Sequence, residues 1–251
     1  MPTEITLSVW VCYVLLRFSN VVAVGAGYDI PGFPFDQEQS TGAYLALGIF
    51  LVWVAREELG QIVQKALRPD TSTLDDTDEP MSYRWALLAA VGGFAVMVLF
   101  AARAGMLMWT ALIYFGLILL FALVYARARA EAGAAMVWLF PFYQHKRMMI
   151  YALGSAPFAP RGNLVNHTIF SLFMFLSRGY YQSMMAYQIE ASKIATTVGI
   201  RQRAMSIWLI IALVLGLFAA YHVHLKAYYA HGANILEGGT TEGGYRTRLA
   251  R

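Results

Sequence analysis

Apolar positions along the chain gather into long runs. The two strongest extend from Trp85 to Ala102 and from Ala104 to Ala126, both uncharged and separated by Arg103 alone. Each is long enough to cross a hydrocarbon layer, which takes about 20 apolar residues. Ala101 to Gly105 then reads as the tight turn of a helical hairpin, with Gly105 at the helix end and Arg103 at the water boundary. A third run, Ala204 to Leu225, is introduced by Arg201 and Arg203 and closed by Lys226, with Tyr221, Tyr228 and Tyr229 as interfacial anchors.

The other runs are less regular. Ile5 to Gly27 is long enough to span but contains Arg17 and Asn20. Gly42 to Ala55 stops short of a full crossing at Arg56, Glu57 and Glu58, and Asn163 to Ser177 is similarly short. Short or interrupted apolar stretches either line cavities, where irregular backbone is satisfied by protein or water, or extend as ordinary helices with polar ends. The pattern as a whole predicts an all-α fold, a polytopic transmembrane helix bundle of about six to eight segments, some of them short or broken.

Residues 1–230 form the helical domain in this reading. An acidic, solvated loop over 68–83 interrupts it, carrying Asp75, Asp76, Asp78 and Glu79. This loop lacks the glycine turn and distal glutamate of an EF-hand. Residues 231–251, with Gly238-Gly239 and Gly243-Gly244 and no apolar period, read as an exposed polar tail. The first apolar run resembles a signal peptide in length, but Glu4 precedes it without Lys or Arg, and Arg17 interrupts it, so a retained membrane helix is expected.

Composition agrees with the pattern. Of 251 residues 59% are hydrophobic and only 14% charged, and the mean hydropathy is +0.52. A soluble domain usually carries charge on about a quarter of its residues. The net charge of +4 comes from small basic groups at the ends of apolar runs, a juxtamembrane pattern and not that of a nucleic-acid binder. With Arg103 outside, the basic loops bearing Arg56, Lys65, Arg68 and Arg84, and those bearing Arg127, Arg129, Lys146 and Arg147, fall together on the cytoplasmic side. The expected location is the cell membrane, multi-pass, of the bacterial inner-membrane type. The one cysteine, Cys12, reads as a buried structural thiol.

Arg17 stands in the middle third of its run, where an arginine costs roughly 2.5 to 3.5 kcal/mol on insertion scales. It is expected to face the bundle interior and meet Asp29, Asp36, Glu38 or Glu190, either as a structural ion pair or as part of a pathway; snorkelling to the interface is the other reading. In the segment from Tyr28 to Ser40, Pro31-Gly32 and Pro34 forbid a continuous helix, and Ser40 or Thr41 is expected to cap the helix that follows. That gathers Asp36 and Glu38 at a helix N-terminus, where backbone N–H groups suit an anion and the carboxylates a proton or cation. A third cluster runs from Ser177 to Lys193. In it Glu190 and Lys193 are spaced to neutralise each other on one helix face, or else Arg178, Tyr181, Gln188 and Glu190 line a pathway. The histidines are dispersed, and no phosphate loop, nucleophile elbow or HExxH occurs. No metal, no cofactor and no enzymatic activity is expected.

The stretches PGFPFDQEQSTGAYLAL, DEPMSYRWA, ARARAEAG and SRGYYQSMMAYQIEASKIA resemble the carboxyl-terminal half of a bacterial family of large polytopic membrane proteins of unknown function. The resemblance implies a longer family protein whose remaining portion would be a partner of this chain. A more distant likeness is to the oligopeptide transporter superfamily, whose Asn-Pro-Gly-Pro-Phe-Asn-x-Lys-Glu-His stretch is matched by Pro31-Gly32 and Glu38, with Ile30, Gln37 and Gln39 departing from it and Phe33 inserted. It implies a secondary transporter in the lipid bilayer, taking a small molecule or peptide with proton coupling. Arg17, Asn20, Asp36, Glu38, Arg178, Tyr181, Gln188 and Glu190 are then the substrate or proton candidates, and Pro31, Gly32 and Pro34 shape the pathway. The alternative is a non-transporting subunit or scaffold of a larger assembly. A membrane-embedded enzyme would need clustered acid, base or metal ligands that this sequence does not assemble.

Overall fold

The computed structural model describes residues 3–28, 30–68, 74–133, 144–173, 176 and 183–231. Among them are nine α-helices and no strand: α1 (Thr3–Gly25), α2 (Asp36–Val54), α3 (Arg56–Leu67), α4 (Tyr83–Arg103), α5 (Met108–Ala132), α6 (Gln144–Leu153), α7 (Val165–Leu172), α8 (Ser183–Val198) and α9 (Gln202–His231). Four segments, Thr3–Gly25, Tyr83–Arg103, Met108–Ala132 and Gln202–Ala230, are long and apolar enough to cross a membrane. The other helices are shorter or carry charge in the first turn.

The fold is organised around α5. This helix is apolar on every side up to Ala126, as helices in a core or a membrane are, and it packs against α2, α4, α6 and α8. One core cluster joins Val98 and Ala101 of α4 to Tyr114, Phe115 and Ile118 of α5, Met149 of α6, Phe158, and Ile169 and Phe170 of α7. A second joins Phe121, Tyr125 and Ala126 of α5 to Ala186 of α8, with Tyr44 and Leu45 of α2 and Met148 of α6 against it. The approach of α2 depends on Gly48, because a Cβ built there would lie 2.7 Å from Leu120 Cγ. Small residues permit this close crossing of helix backbones.

The turn between α4 and α5 forms where the sequence predicts it. Gly105 adopts φ +103°, and a Cβ on it would meet Val165 Cγ1 at 2.9 Å, so both conformation and space call for glycine. The Leu107 N–H donates to Asn166 Oδ1 at 2.8 Å, and Asn166 Nδ2 donates to the Phe158 carbonyl at 2.8 Å. One buried amide thus ties this turn to the start of α7. At the other end of α4, Arg203 Nη2 donates to the Asp76 carbonyl at 3.4 Å, which brings the acidic segment against the start of α9.

Several boundaries differ from the sequence reading. The helix expected to be capped by Ser40 or Thr41 begins at Asp36, behind Phe35 in the left-handed conformation (φ 57°). Ser40 and Thr41 instead donate to the Gln37 carbonyl from within the helix. Asp36 and Glu38 in the first turn favour this earlier start. The charged stretch after Val54 is α3, with Glu57 and Glu58 in its first turn and Lys65 in its last, packed on α4. α5 continues through the Ala-rich segment to Ala132, and α9 continues past Lys226 to His231, so Arg127 and Arg129 lie on a helix and not in a loop. Lys146 and Arg147 lie on α6. Cys12 is exposed on α1, contrary to a buried thiol, because α1 has no buried residue. Residues 69–73 of the acidic loop and 232–251 of the tail lie outside the described residues.

Candidate functional site

The last turns of α5 read Arg127-Ala128-Arg129-Ala130-Glu131-Ala132. Positions two apart point to different sides of a helix, whereas positions four apart meet. Arg127 accordingly pairs with Glu131 on the exposed side. Arg129 turns inward, where it is 3% exposed. There the alanines leave room for α8 to approach, and Ala186 and Ala195 of α8 are buried in turn.

Arg129 meets three side chains. Its Nε donates to Glu190 Oε1 at 2.7 Å and its Nη2 to Glu190 Oε2 at 3.3 Å. The planar guanidinium fork matches both carboxylate oxygens, the geometry that makes such pairs the strong ones. Nη1 makes a long hydrogen bond to Tyr125 Oη at 3.4 Å, and the Tyr187 ring lies over the guanidinium at 4.2 Å. A cation against an aromatic face and a bidentate carboxylate is fully matched while out of water. The Glu190 side chain keeps 30% exposure, so the pair is closed around Arg129 and partly open at Glu190.

Next to it lies a second polar group. Gln144 and His145 at the start of α6 are buried, and the His145 ring packs 4.7 Å from Phe121 and 6.3 Å from Tyr114. Gln144 Nε2 donates to Gln37 Oε1 at 3.4 Å, linking α6 to the first turn of α2. The ten-residue α6 thus begins beside the middle of α5, and the eight-residue α7 ends there too, its Phe173 carbonyl accepting from Tyr114 Oη at 3.2 Å. Between α8 and α9 a cavity of about 170 Å³ is lined by Met184, Tyr187, Gln188, Leu209, Ile210 and Leu213. Tyr187 is therefore shared between this cavity and Arg129.

Among the residues expected from sequence, Glu190 and Gln188 belong to this region. Glu190 is engaged by Arg129 and not by Lys193, because a buried guanidinium fork outcompetes an exposed, flexible ammonium three residues along. Asp36 and Glu38 are exposed at the start of α2, on either side of Gln37. Pro31, Gly32 and Pro34 form the turns before it, with Phe35 N donating to the Gly32 carbonyl at 2.7 Å. Arg17 and Asn20 stand on α1. Arg17 faces no bundle interior: it is exposed, its guanidinium 5.3 Å from the Tyr13 ring centroid, and among the described residues the ion pairs are Arg127–Glu131 and Arg129–Glu190. Arg178, Tyr181 and Asp29 lie outside the described residues.

Sequence reasoning missed Arg129, which it assigned to a basic loop. The signal was present in the i, i+4 match of Arg127 with Glu131, which leaves Arg129 alone on the opposite face of the same helix. It also missed that the acidic segment packs against the α8–α9 turn, where Asp75, Asp78 and Glu79 line a cavity with Arg201 and Gln202. Outside the long helices, Asp75 accepts hydrogen bonds from the Thr77 hydroxyl and, at 3.0 Å, from the Thr77 N–H. These bonds, the hydroxyl first, hold its carboxyl below the usual carboxylate range.

No curated protein and no solved structure matches the chain. A family model does, across residues 1–251, and the chain belongs to the family of unknown function DUF6785.

Proposed function

We propose that the chain is a polytopic membrane protein of the cell membrane and works as a secondary transporter, with Arg129 and Glu190 as its coupled pair. The observation that carries this reading is the two-bond ion pair between α5 and α8, buried at Arg129 and partly open at Glu190. Ionisable groups matched within a bundle of apolar helices mark pathways by default. In this reading α1, α4, α5 and α9 cross, α2 adds a further crossing, and α6, α7 and α8 enter as shorter pieces. Arg103 lies outside in this orientation, with Lys65, Arg84, Arg201 and Arg203 on the cytoplasmic side.

The chemistry follows from the pair. A proton on Glu190 removes the negative charge and one acceptor lone-pair set, which leaves the Arg129 fork to receive a carboxylate from a small molecule or peptide. Tyr187 covers the guanidinium and forms a wall of the α8–α9 cavity, so moving that ring connects cavity to cation. Asp36 and Glu38, beside the Gln37–Gln144 contact, serve as the outer proton groups. The short α6, beginning against mid-α5, and the short α7, ending beside Tyr114, support the discontinuous-helix geometry that transporter sites favour. Purified chain in liposomes with an inward proton gradient should accumulate labelled small peptides, and Glu190→Gln should abolish the dependence on the gradient. Accumulation that ignores both the gradient and the substitution contradicts the proposal.

A second reading has its own observation. α1 has no buried residue although it is apolar over most of its length, as a subunit or scaffold of a larger assembly requires. It predicts no solute flux by the chain alone.

A further inference from the structure

We infer that α1 is the docking surface for a membrane helix of another polypeptide that carries a carboxylate at mid-length, and that Arg17 is the residue it meets. This inference is independent of solute transport.

The position of the charge carries the argument. α1 spans 23 residues, Thr3–Gly25, and side chains on a helix lean towards its N-terminus. Arg17 does so: its guanidinium lies over the ring of Tyr13, one turn back, at 5.3 Å. The cation is thereby carried to the centre of the helix, roughly 15 to 18 Å from either end at 1.5 Å per residue. An arginine near an end can snorkel to the interface, but one folded towards the centre cannot reach water that way. α1 has no buried residue, and among the described residues no carboxylate forms an ion pair with Arg17. A full charge thus stands at the middle of a mostly apolar helix whose surroundings, among the described residues, offer it the face of one tyrosine.

The stripe around it is suited to a helix. Tyr13, Arg17 and Asn20 recur at i, i+4 and i+7, so a hydroxyl, a guanidinium and an amide share one face. Polar side chains of this kind hold membrane helices together through interhelical hydrogen bonds, and an opposing carboxylate adds charge to them. Charge complementarity also excludes a second copy packed in parallel through this face. Its own Arg17 would stand at the same depth, the one acid of α1 is Glu4 at the far end, and Glu190 is taken by Arg129.

The test uses the full chain, donor-labelled at its amino terminus in phosphatidylcholine vesicles, and two acceptor-labelled apolar helical peptides that differ only in a central Glu or Gln. Energy transfer should report about ten-fold tighter association of the Glu peptide, a preference that Arg17→Gln removes and Arg17→Lys retains in part. Equal association of the two peptides with wild-type chain, or a preference that survives Arg17→Gln, overturns the inference. So does energy transfer between two copies of the chain that requires Arg17. If Arg17→Gln fails to fold, the comparison of the two peptides on the wild-type and Arg17→Lys chains decides.

Discussion

Arg129 Nε lies 2.7 Å from Glu190 Oε1, joining α5 to α8 across 61 positions of sequence. Removing one partner of a desolvated pair strands the other, so Glu190→Gln should destabilise the chain by about 3 kcal/mol. The paired substitution Arg129→Met with Glu190→Leu should restore most of that stability, since well-packed apolar residues replace buried ion pairs at little cost. Thermal unfolding in detergent measures both. The restored double variant should still lack proton-coupled uptake, which separates the pair's structural part from its transport part.

The crossing of α2 over α5 gives a second expectation. A Cβ at Gly48 would lie 2.7 Å from Leu120 Cγ and 2.9 Å from Cδ1, so Gly48→Ala forces the Leu120 side chain to shift. Overpacking of this kind costs about 1 to 3 kcal/mol. Leu120→Ala in the same chain should recover part of the loss, and a double-mutant cycle on unfolding free energies reads the coupling.

Asn166 is 2% exposed and serves two backbone groups, the Leu107 N–H and the Phe158 carbonyl. Asn166→Leu leaves a part-buried donor and a buried acceptor without it, the acceptor at about 1 to 3 kcal/mol and the donor at less. Hydrogen exchange at the Leu107 amide should accelerate in this variant. Unchanged protection there would mean that the α4–α5 turn is held by its glycine alone.

The acidic segment offers a test of electrostatics in water. Because the Thr77 hydroxyl and N–H stabilise the ionised form, the Asp75 carboxyl titrates below its ordinary value. A group whose folded pKa is depressed contributes stability above its unfolded pKa and loses it as pH falls through the folded one. Thr77→Ala should raise the Asp75 pKa towards the ordinary carboxylate value while the backbone bond keeps part of the shift. A carbon-detected titration of the Asp75 carboxyl checks this.

The long helices are legible in the sequence because a long apolar run leaves the chain few alternatives, and α1, α4, α5 and α9 coincide with such runs to within a few residues at most ends. What followed the runs was less legible. Arg56 to Leu67 and Arg127 to Ala132 look like loops by charge, yet both are helical, since alanine, leucine, glutamate, arginine and lysine are strong helix formers. Phe35 in the left-handed conformation moves the start of α2 to Asp36, a local choice that no apolar pattern records. For the candidate site, Glu190 was recognisable as an acid in an apolar setting. Its partner was not, because burial of Arg129 depends on α8 lying against α5, a contact between residues far apart in sequence. Arg17 was conspicuous, but the expectation that it turns into the bundle assumed a neighbour for α1 that the described residues do not supply.

Substrate-dependent proton movement tests the central proposal most directly. Liposomes holding the purified chain and a trapped pH-sensitive dye should acidify inside when a transported peptide is added outside. With Glu190→Gln, the peptide should still enter down its own gradient while internal pH stays constant. Acidification that persists unchanged in Glu190→Gln, or peptide uptake by the wild type with no acidification at all, would contradict a coupled Arg129–Glu190 pair.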